Sequence, residues 1–202
     1  KRFAFERIYP TTGDFALMVA NMDGSGDEKL ASHKADLWFA GSPAWSPDGK
    51  VIAAFLGSWE GGFHYDVETV QVDSREEKIV TRQRWNGIGG IQWLYDGSGL
   101  ILTATEKGSN VAQIWQVSLP SGNIRRITND LNNYSNLNLT GDSRTLSVVQ
   151  SDVSSNIWIV PGGEVNRARK ITSGKDEGQT GICWTPEGKM IYTSTASGNL
   201  DL

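Results

Sequence analysis

One recurring phrase dictates what this chain can fold into. Pro43-Ala44-Trp45-Ser46-Pro47-Asp48-Gly49-Lys50-Val51-Ile52-Ala53 reads as strand, tight turn, strand. Pro47 pre-sets φ for a turn, and Asp48 and Gly49 tolerate the left-handed backbone that closes a short hairpin. Ile182 to Tyr192 repeats the phrase, Ile91 to Ile101 is a looser copy, and Leu137 to Leu146 is a worn one with Leu139 in the tryptophan position. The anchors Trp45, Trp93, Leu139 and Trp184 follow one another at 48, 46 and 45 residues. A fixed period of that size, filled with short strands, signals propeller blades or a similar array. The anchors are expected to take equivalent, buried positions.

Two further phrases recur between the anchors. An apolar one appears at Val70-Gln71-Val72-Asp73, Ile114-Trp115-Gln116-Val117 and Asn156-Ile157-Trp158-Ile159-Val160. Met18 to Gly24 fits the same slot earlier, and Asn199 to Leu202 begins it once more. A charged one closes each unit at Glu28 to Ala31, Glu77 to Thr81, Arg125 to Thr128 and Arg169 to Thr172. Successive apolar positions fit a strand covered on both faces. Charges fit the outermost strand, whose edge they protect. One unit is therefore four strands, a to d.

These residues resemble the WD40-like PD40 β-propeller repeat of TolB-type propellers and of the propeller domains of prolyl-oligopeptidase-type peptidases. Arg126 to Asn132, Val149 to Asp152, Asn156 to Trp158 and Tyr192 to Gly198 also resemble the repeat segment of certain bacterial multidomain proteins. In those, the propeller follows a serine/threonine kinase or a winged-helix DNA-binding domain. The resemblance implies a propeller and favours an extracytoplasmic, periplasmic setting, with the cytoplasm as the alternative. It carries over no catalytic residue, because the matched motifs are structural and propellers host many functions.

The expected fold is all-β: a propeller of four-stranded antiparallel blades, three complete and two partial. One repeat array fills residues 1–202, with a partial blade at 1–31, blades at 32–81, 82–128 and 129–172, and a partial blade at 173–202. A propeller closes with typically 4–8 blades, so the chain is expected to be a segment of a larger ring. Its open blade edges would let it associate with itself. No strand-breaking long helix is expected.

Composition narrows the partners. A net charge of −4 argues against a nucleic-acid surface. The longest apolar run, Val51 to Leu56, is too short to cross a bilayer, so no membrane insertion is expected. No signal peptide or initiator methionine is visible at Lys1-Arg2, which reads as an excerpt or processed product. Cys183 is the only cysteine and is expected to be a small buried hydrophobe beside Trp184.

Chemistry is sparse. His33 and His64 are the only histidines. Both are expected in surface loops, without a cysteine or carboxylate cluster at zinc-ligand spacing. Asp23 to Asp27 reads as a turn, since Lys34 stands where a calcium loop needs its glutamate. Gly87-Ile88-Gly89-Gly90 opens no helix and is no phosphate loop. Neither a G-x-S-x-G elbow nor kinase motifs occur. The chain alone is expected to be non-catalytic, with no cofactor and no metal.

Function is expected in loops on one face of the disc, a candidate binding face made of Trp38, Phe39, Trp59, His64, Tyr65, Trp85, Asn86 and Tyr134, with Phe63 among them. Loops on a rigid scaffold carry function, and aromatics are enriched at interface anchors. The leading expectation is a binding or sensory module of a larger signalling protein, taking a protein or small-molecule ligand. The alternatives are the gating propeller of a prolyl-oligopeptidase-type peptidase, or a TolB-like periplasmic scaffold.

Overall fold

The computed structural model describes residues 1–34, 36–197 and 200–202. Asn199, in the expected start of a last apolar strand, lies outside the described residues, as does Gly198. The chain forms two compact units, residues 1–151 and residues 152–202.

The first unit holds thirteen strands. β1 (Arg2–Tyr9), β2 (Asp14–Asn21) and β3 (Glu28–Lys34) make an antiparallel sheet in that order. β4 (Leu37–Trp45), β5 (Val51–Ser58), β6 (His64–Gln71) and β7 (Glu77–Ile79) form a four-stranded meander. β8 (Trp85–Trp93), β9 (Gly99–Glu106), β10 (Gln113–Ser118) and β11 (Ile124–Arg126) form a second. Among the described residues, the antiparallel bridge Tyr65–Trp85 alone connects the two meanders into one sheet. β12 (Asn133–Leu139) pairs with β13 (Leu146–Ser151).

The second unit holds two short ladders. β14 (Trp158–Ile159) pairs with β15 (Arg169–Lys170), and β16 (Ile182–Trp184) with β17 (Met190–Tyr192). Single 3₁₀ turns at Pro161–Gly163 and Val165–Arg167 join β14 to β15. The apolar and charged phrases of this repeat are thus paired over two residues rather than over their full expected lengths.

The repeated turn is held by its own side chains. Ser46 Oγ accepts from the Lys50 and Val51 amides and donates to Asp48 Oδ1 at 2.7 Å. That bond, with the Lys50 amide, holds the Asp48 carboxyl below the usual carboxylate range. Thr140 and Asp142 reproduce the arrangement in the worn copy, at 2.6 Å. Gly49, Gly97 and Gly188 occupy the left-handed position of their turns at φ +71°, +71° and +79°. The worn copy puts Ser143 there at φ +53°, a conformation side chains disfavour. Its hydroxyl accepts from the Tyr95 amide at 2.8 Å and so ties one repeat's turn to the next.

Residues of β5 are buried at almost every position, and alternation sends them to two cores. Ile52 and Ala54 join Leu17, Val19, Leu30, Phe39 and Val70. Ala53 and Phe55 join Val67, Trp85, Ile91, Leu100, Leu102 and Trp115. This is the expected signature of a strand covered on both faces.

The anchors correct one expectation. Trp45, Trp93 and Leu139 share a register, each ending its strand opposite Ile52, Leu100 and Leu146. None is fully buried. The Trp93 indole Nε1 donates to the Ala44 carbonyl of the preceding repeat at 3.0 Å. Trp184 pairs with Met190, one residue out of that register, and is 59% exposed. A one-residue slip turns every side chain to the other face. Cys183 beside it is exposed rather than buried. Among the described residues β16 pairs with β17 alone, so no third strand covers them.

Candidate functional site

The expected binding-face residues do not sit in loops. Trp38 and Phe39 belong to β4, His64 and Tyr65 to β6, Trp85 and Asn86 to β8, and Tyr134 to β12. Only Trp59 and Phe63 occupy a connection, the one between β5 and β6. Aromatic residues favour strands, and here they lengthen the strands outward beyond their apolar centres.

Three of these residues are structural. Phe39 is 3% exposed inside one core. Trp85 is fully buried in the other, edge-on to Trp115 at 4.9 Å. Tyr134 is buried, and its hydroxyl donates to Asp130 Oδ2 at 2.7 Å. That bond holds the Asp130 carboxyl below its ordinary range and raises the tyrosine. Asn86 is exposed.

Trp38, Trp59, Phe63 and Tyr65 come together. Trp38 and Tyr65 are both cross-strand partners of Gly57 on β5. Because Gly57 has no side chain, the Trp38 ring lies directly over it: a Cβ built there would fall 2.2 Å from Trp38 Cε2. Trp38 then meets Tyr65 edge-on at 6.2 Å and stacks on Phe63 at 6.1 Å. Phe63 meets Tyr65 edge-on at 5.2 Å, and Trp59 packs on Phe63 at 4.9 Å. These separations fall in the favourable range for aromatic pairs. Burial in this group raises the Tyr65 hydroxyl's pKa. The outer rings remain open, Trp59 being 58% and Phe63 39% exposed.

The connection that carries Trp59 and Phe63 is tightly made. Gly61 and Gly62 take φ +72° and +100°, left-handed values that glycine adopts without strain. The Gly62 amide donates to the Trp59 carbonyl at 3.1 Å, and the Glu60 amide to Ser58 Oγ at 3.0 Å. His64 is 5% exposed rather than on the surface. Its Nδ1 lies 2.7 Å from the Gly62 carbonyl and its Nε2 3.2 Å from Asp66 Oδ2. The imidazole therefore braces the loop from beneath.

The other histidine is also misplaced by the sequence reading. His33 is a half-buried residue of β3, not of a loop. Its Nε2 lies 2.9 Å from Glu77 Oε2 and 3.9 Å from Glu68 Oε2. The adjacent Glu68 carboxylate holds the imidazole's pKa above its ordinary value, against the opposing effect of burial. Burial, then the Glu68 charge, raises the Glu77 carboxyl. Side chains drawn from three strands leave no spacing in the sequence that could announce the cluster.

Residues 8–202 match the family described as PD40, TolB beta propeller domain. The chain belongs to this family. The Tol-Pal system protein TolB of Anaeromyxobacter dehalogenans (strain 2CP-C) is 31% identical over 118 residues, covering 58% of this chain and 25% of that protein. The chain thus spans about a quarter of the length of the curated relatives it matches. The structure of putative TolB from Agrobacterium tumefaciens superposes with a TM-score of 0.52 at 17% identity, over 77% of this chain and 57% of that one. A prolyl endopeptidase structure superposes at 0.55 and 16% identity, over 86% of this chain and 28% of that one. These two likenesses speak for the fold alone. The PD40 chain is all-β and is a segment of a propeller.

Proposed function

We propose that this PD40 segment is a non-catalytic docking module of a larger protein, presenting the Trp38–Trp59–Phe63–Tyr65 surface to a protein partner. The observation that carries the reading is the exposure of Trp59 and Phe63 on a loop already fixed by glycine geometry and by His64. Large exposed apolar groups gathered in one patch mark interaction sites, and tryptophan and tyrosine dominate interface energetics. A fixed loop also lowers the ordering cost of association. Likeness to TolB supports an extracytoplasmic setting and a scaffold-like role. The repeat's resemblance to segments that follow kinase or winged-helix domains supports a signalling context.

Site-specific photocrosslinking tests this. A benzophenone side chain placed at position 59 in the native host protein should give a discrete protein adduct. The same group at Tyr95, 61% exposed and far along the chain, should not. Equal adducts at both positions, or none at 59, refute the reading.

A further inference from the structure

We infer that His33, Glu68 and Glu77 form a binding site for a divalent cation of the zinc type. The three side chains come from β3, β6 and β7, so the site spans the seam between the β1–β3 sheet and the sheet containing β6 and β7. One ligand atom from each residue lies within 4.8 Å of the other two. A cation held at about 2.0–2.2 Å by imidazole nitrogen and carboxylate oxygens needs its ligand atoms roughly 3.3–3.6 Å apart. The observed 2.9 and 3.9 Å bracket that spacing.

An independent observation points to an unfilled coordination position. Glu68 is 4% exposed, and its Oε2, which faces His33, has no hydrogen-bond partner among the described residues. His33 Nε2, at 3.9 Å, is its nearest cationic neighbour and too distant for a hydrogen bond, so the oxygen keeps its lone pairs free for a closer cation. His33 Nε2 also lacks a hydrogen bond of good geometry, although Glu77 is close. The two atoms, Glu68 Oε2 and His33 Nε2, lie 3.9 Å apart. The seam is otherwise well fixed: Arg75, in the β6–β7 turn, bonds the Glu28 carboxylate and the Lys29 carbonyl of β3. Phe39 packs against the His33 ring at 4.9 Å and restricts its orientation.

The donor set selects the cation class. One imidazole and two carboxylates suit zinc and its neighbours in the first transition row, whereas calcium and magnesium prefer all-oxygen shells. Glu77 is the most open of the three, its side chain 33% exposed, so water can fill the fourth position from that side. A cation here would clip two neighbouring sheets together.

The chelator-stripped 202-residue chain is titrated with Co²⁺ as a spectroscopic probe and with Zn²⁺ as competitor. The expected result is a visible d–d band at one Co²⁺ per chain, displaced by Zn²⁺, and a Zn²⁺-dependent rise in Tm. His33→Ala should abolish the band. Glu77→Gln, a change at a partly exposed side chain that leaves the fold intact, should weaken binding by about tenfold or more. Cys183→Ser, which removes the exposed thiol as a competing ligand, should leave both readouts unchanged. If no band and no Tm rise appear, or if Glu77→Gln binds as tightly as the parent, the cluster is only an imidazole–carboxylate ion pair and the inference is overturned.

Discussion

Gly57→Ala is the sharpest probe of how the aromatic surface is built. The new Cβ would lie 2.2, 2.5 and 2.6 Å from Trp38 Cε2, Cζ2 and Nε1. Carbon atoms in contact sit about 3.5–4.0 Å apart, so the indole must retreat by more than about 1 Å. The backbone at Gly57 is ordinary extended strand and accepts alanine, so the cost is steric. Overpacking of this kind costs about 1–3 kcal/mol. In a Trp38→Ala background the clash is gone. Alanine should then be favoured over glycine in the strand by roughly 0.5–1 kcal/mol. The propensity gain is common to both backgrounds and cancels, so the double-mutant cycle should show a coupling equal to the steric cost, about 1–3 kcal/mol. Urea denaturation of the four proteins, followed by circular dichroism, measures it. Adducts at position 59 should fall in Gly57→Ala, because Trp38 no longer supports Phe63. If Gly57→Ala costs the same with and without Trp38, to within about 0.5 kcal/mol, the glycine does not hold the ring and the account of the surface is wrong.

Two further outcomes are expected. Glu6 lies half-buried on β1, its Oε1 has no partner among the described residues, and burial pushes its pKa up to about 7. Folding then favours the protonated form, so its stabilising effect is complete below pH 4.5 and lost as pH rises toward 7. Glu6→Gln should leave stability nearly unchanged at pH 4 and raise it by about 1–2 kcal/mol at pH 8, a figure reduced for solvent screening; equal effects at both pH values in thermal melts would sink the assignment. Trp85 is fully buried with its indole N–H unpaired among the described residues. Trp85→Ala should cost about 3–5 kcal/mol, and Trp85→Phe distinctly less, because it removes the unpaired donor; the reverse order in denaturant melts refutes this.

Much of the architecture was legible because turns and alternation are local signals. Ser46-Pro47-Asp48-Gly49 carries its own hydrogen-bond network, and Val51 to Leu56 announces a strand covered on both faces. The surface was only partly legible. Trp38, Phe39, Tyr65 and Trp85 flank the apolar centres of their strands and read as loop residues from that pattern, although aromatic residues are themselves strand formers. Which rings face outward depends on Gly57 and on the pairing of β4 with β5 and β6, and that is tertiary information. The His33, Glu68 and Glu77 constellation was invisible because its members converge only when β3 meets β6 and β7. Trp184 and Cys183 looked like core residues by analogy with Trp45, yet a repeat motif is buried only where a neighbouring strand covers it.

The bond from Trp93 to the Ala44 carbonyl crosses 49 residues and joins one repeat to the copy before it. At this repeat the most recognisable residue of the motif works as a fastener between units, whereas the Trp45 indole N–H has no hydrogen-bond partner among the described residues. A gene that duplicates such a unit duplicates the donor too, and the joint forms where the new indole meets a carbonyl of the copy before it, as Trp93 meets Ala44. Repeat number can then drift by whole units without a joint having to be invented. A copy that loses its tryptophan, as Leu139 records, survives if another tie such as Ser143 to Tyr95 takes over.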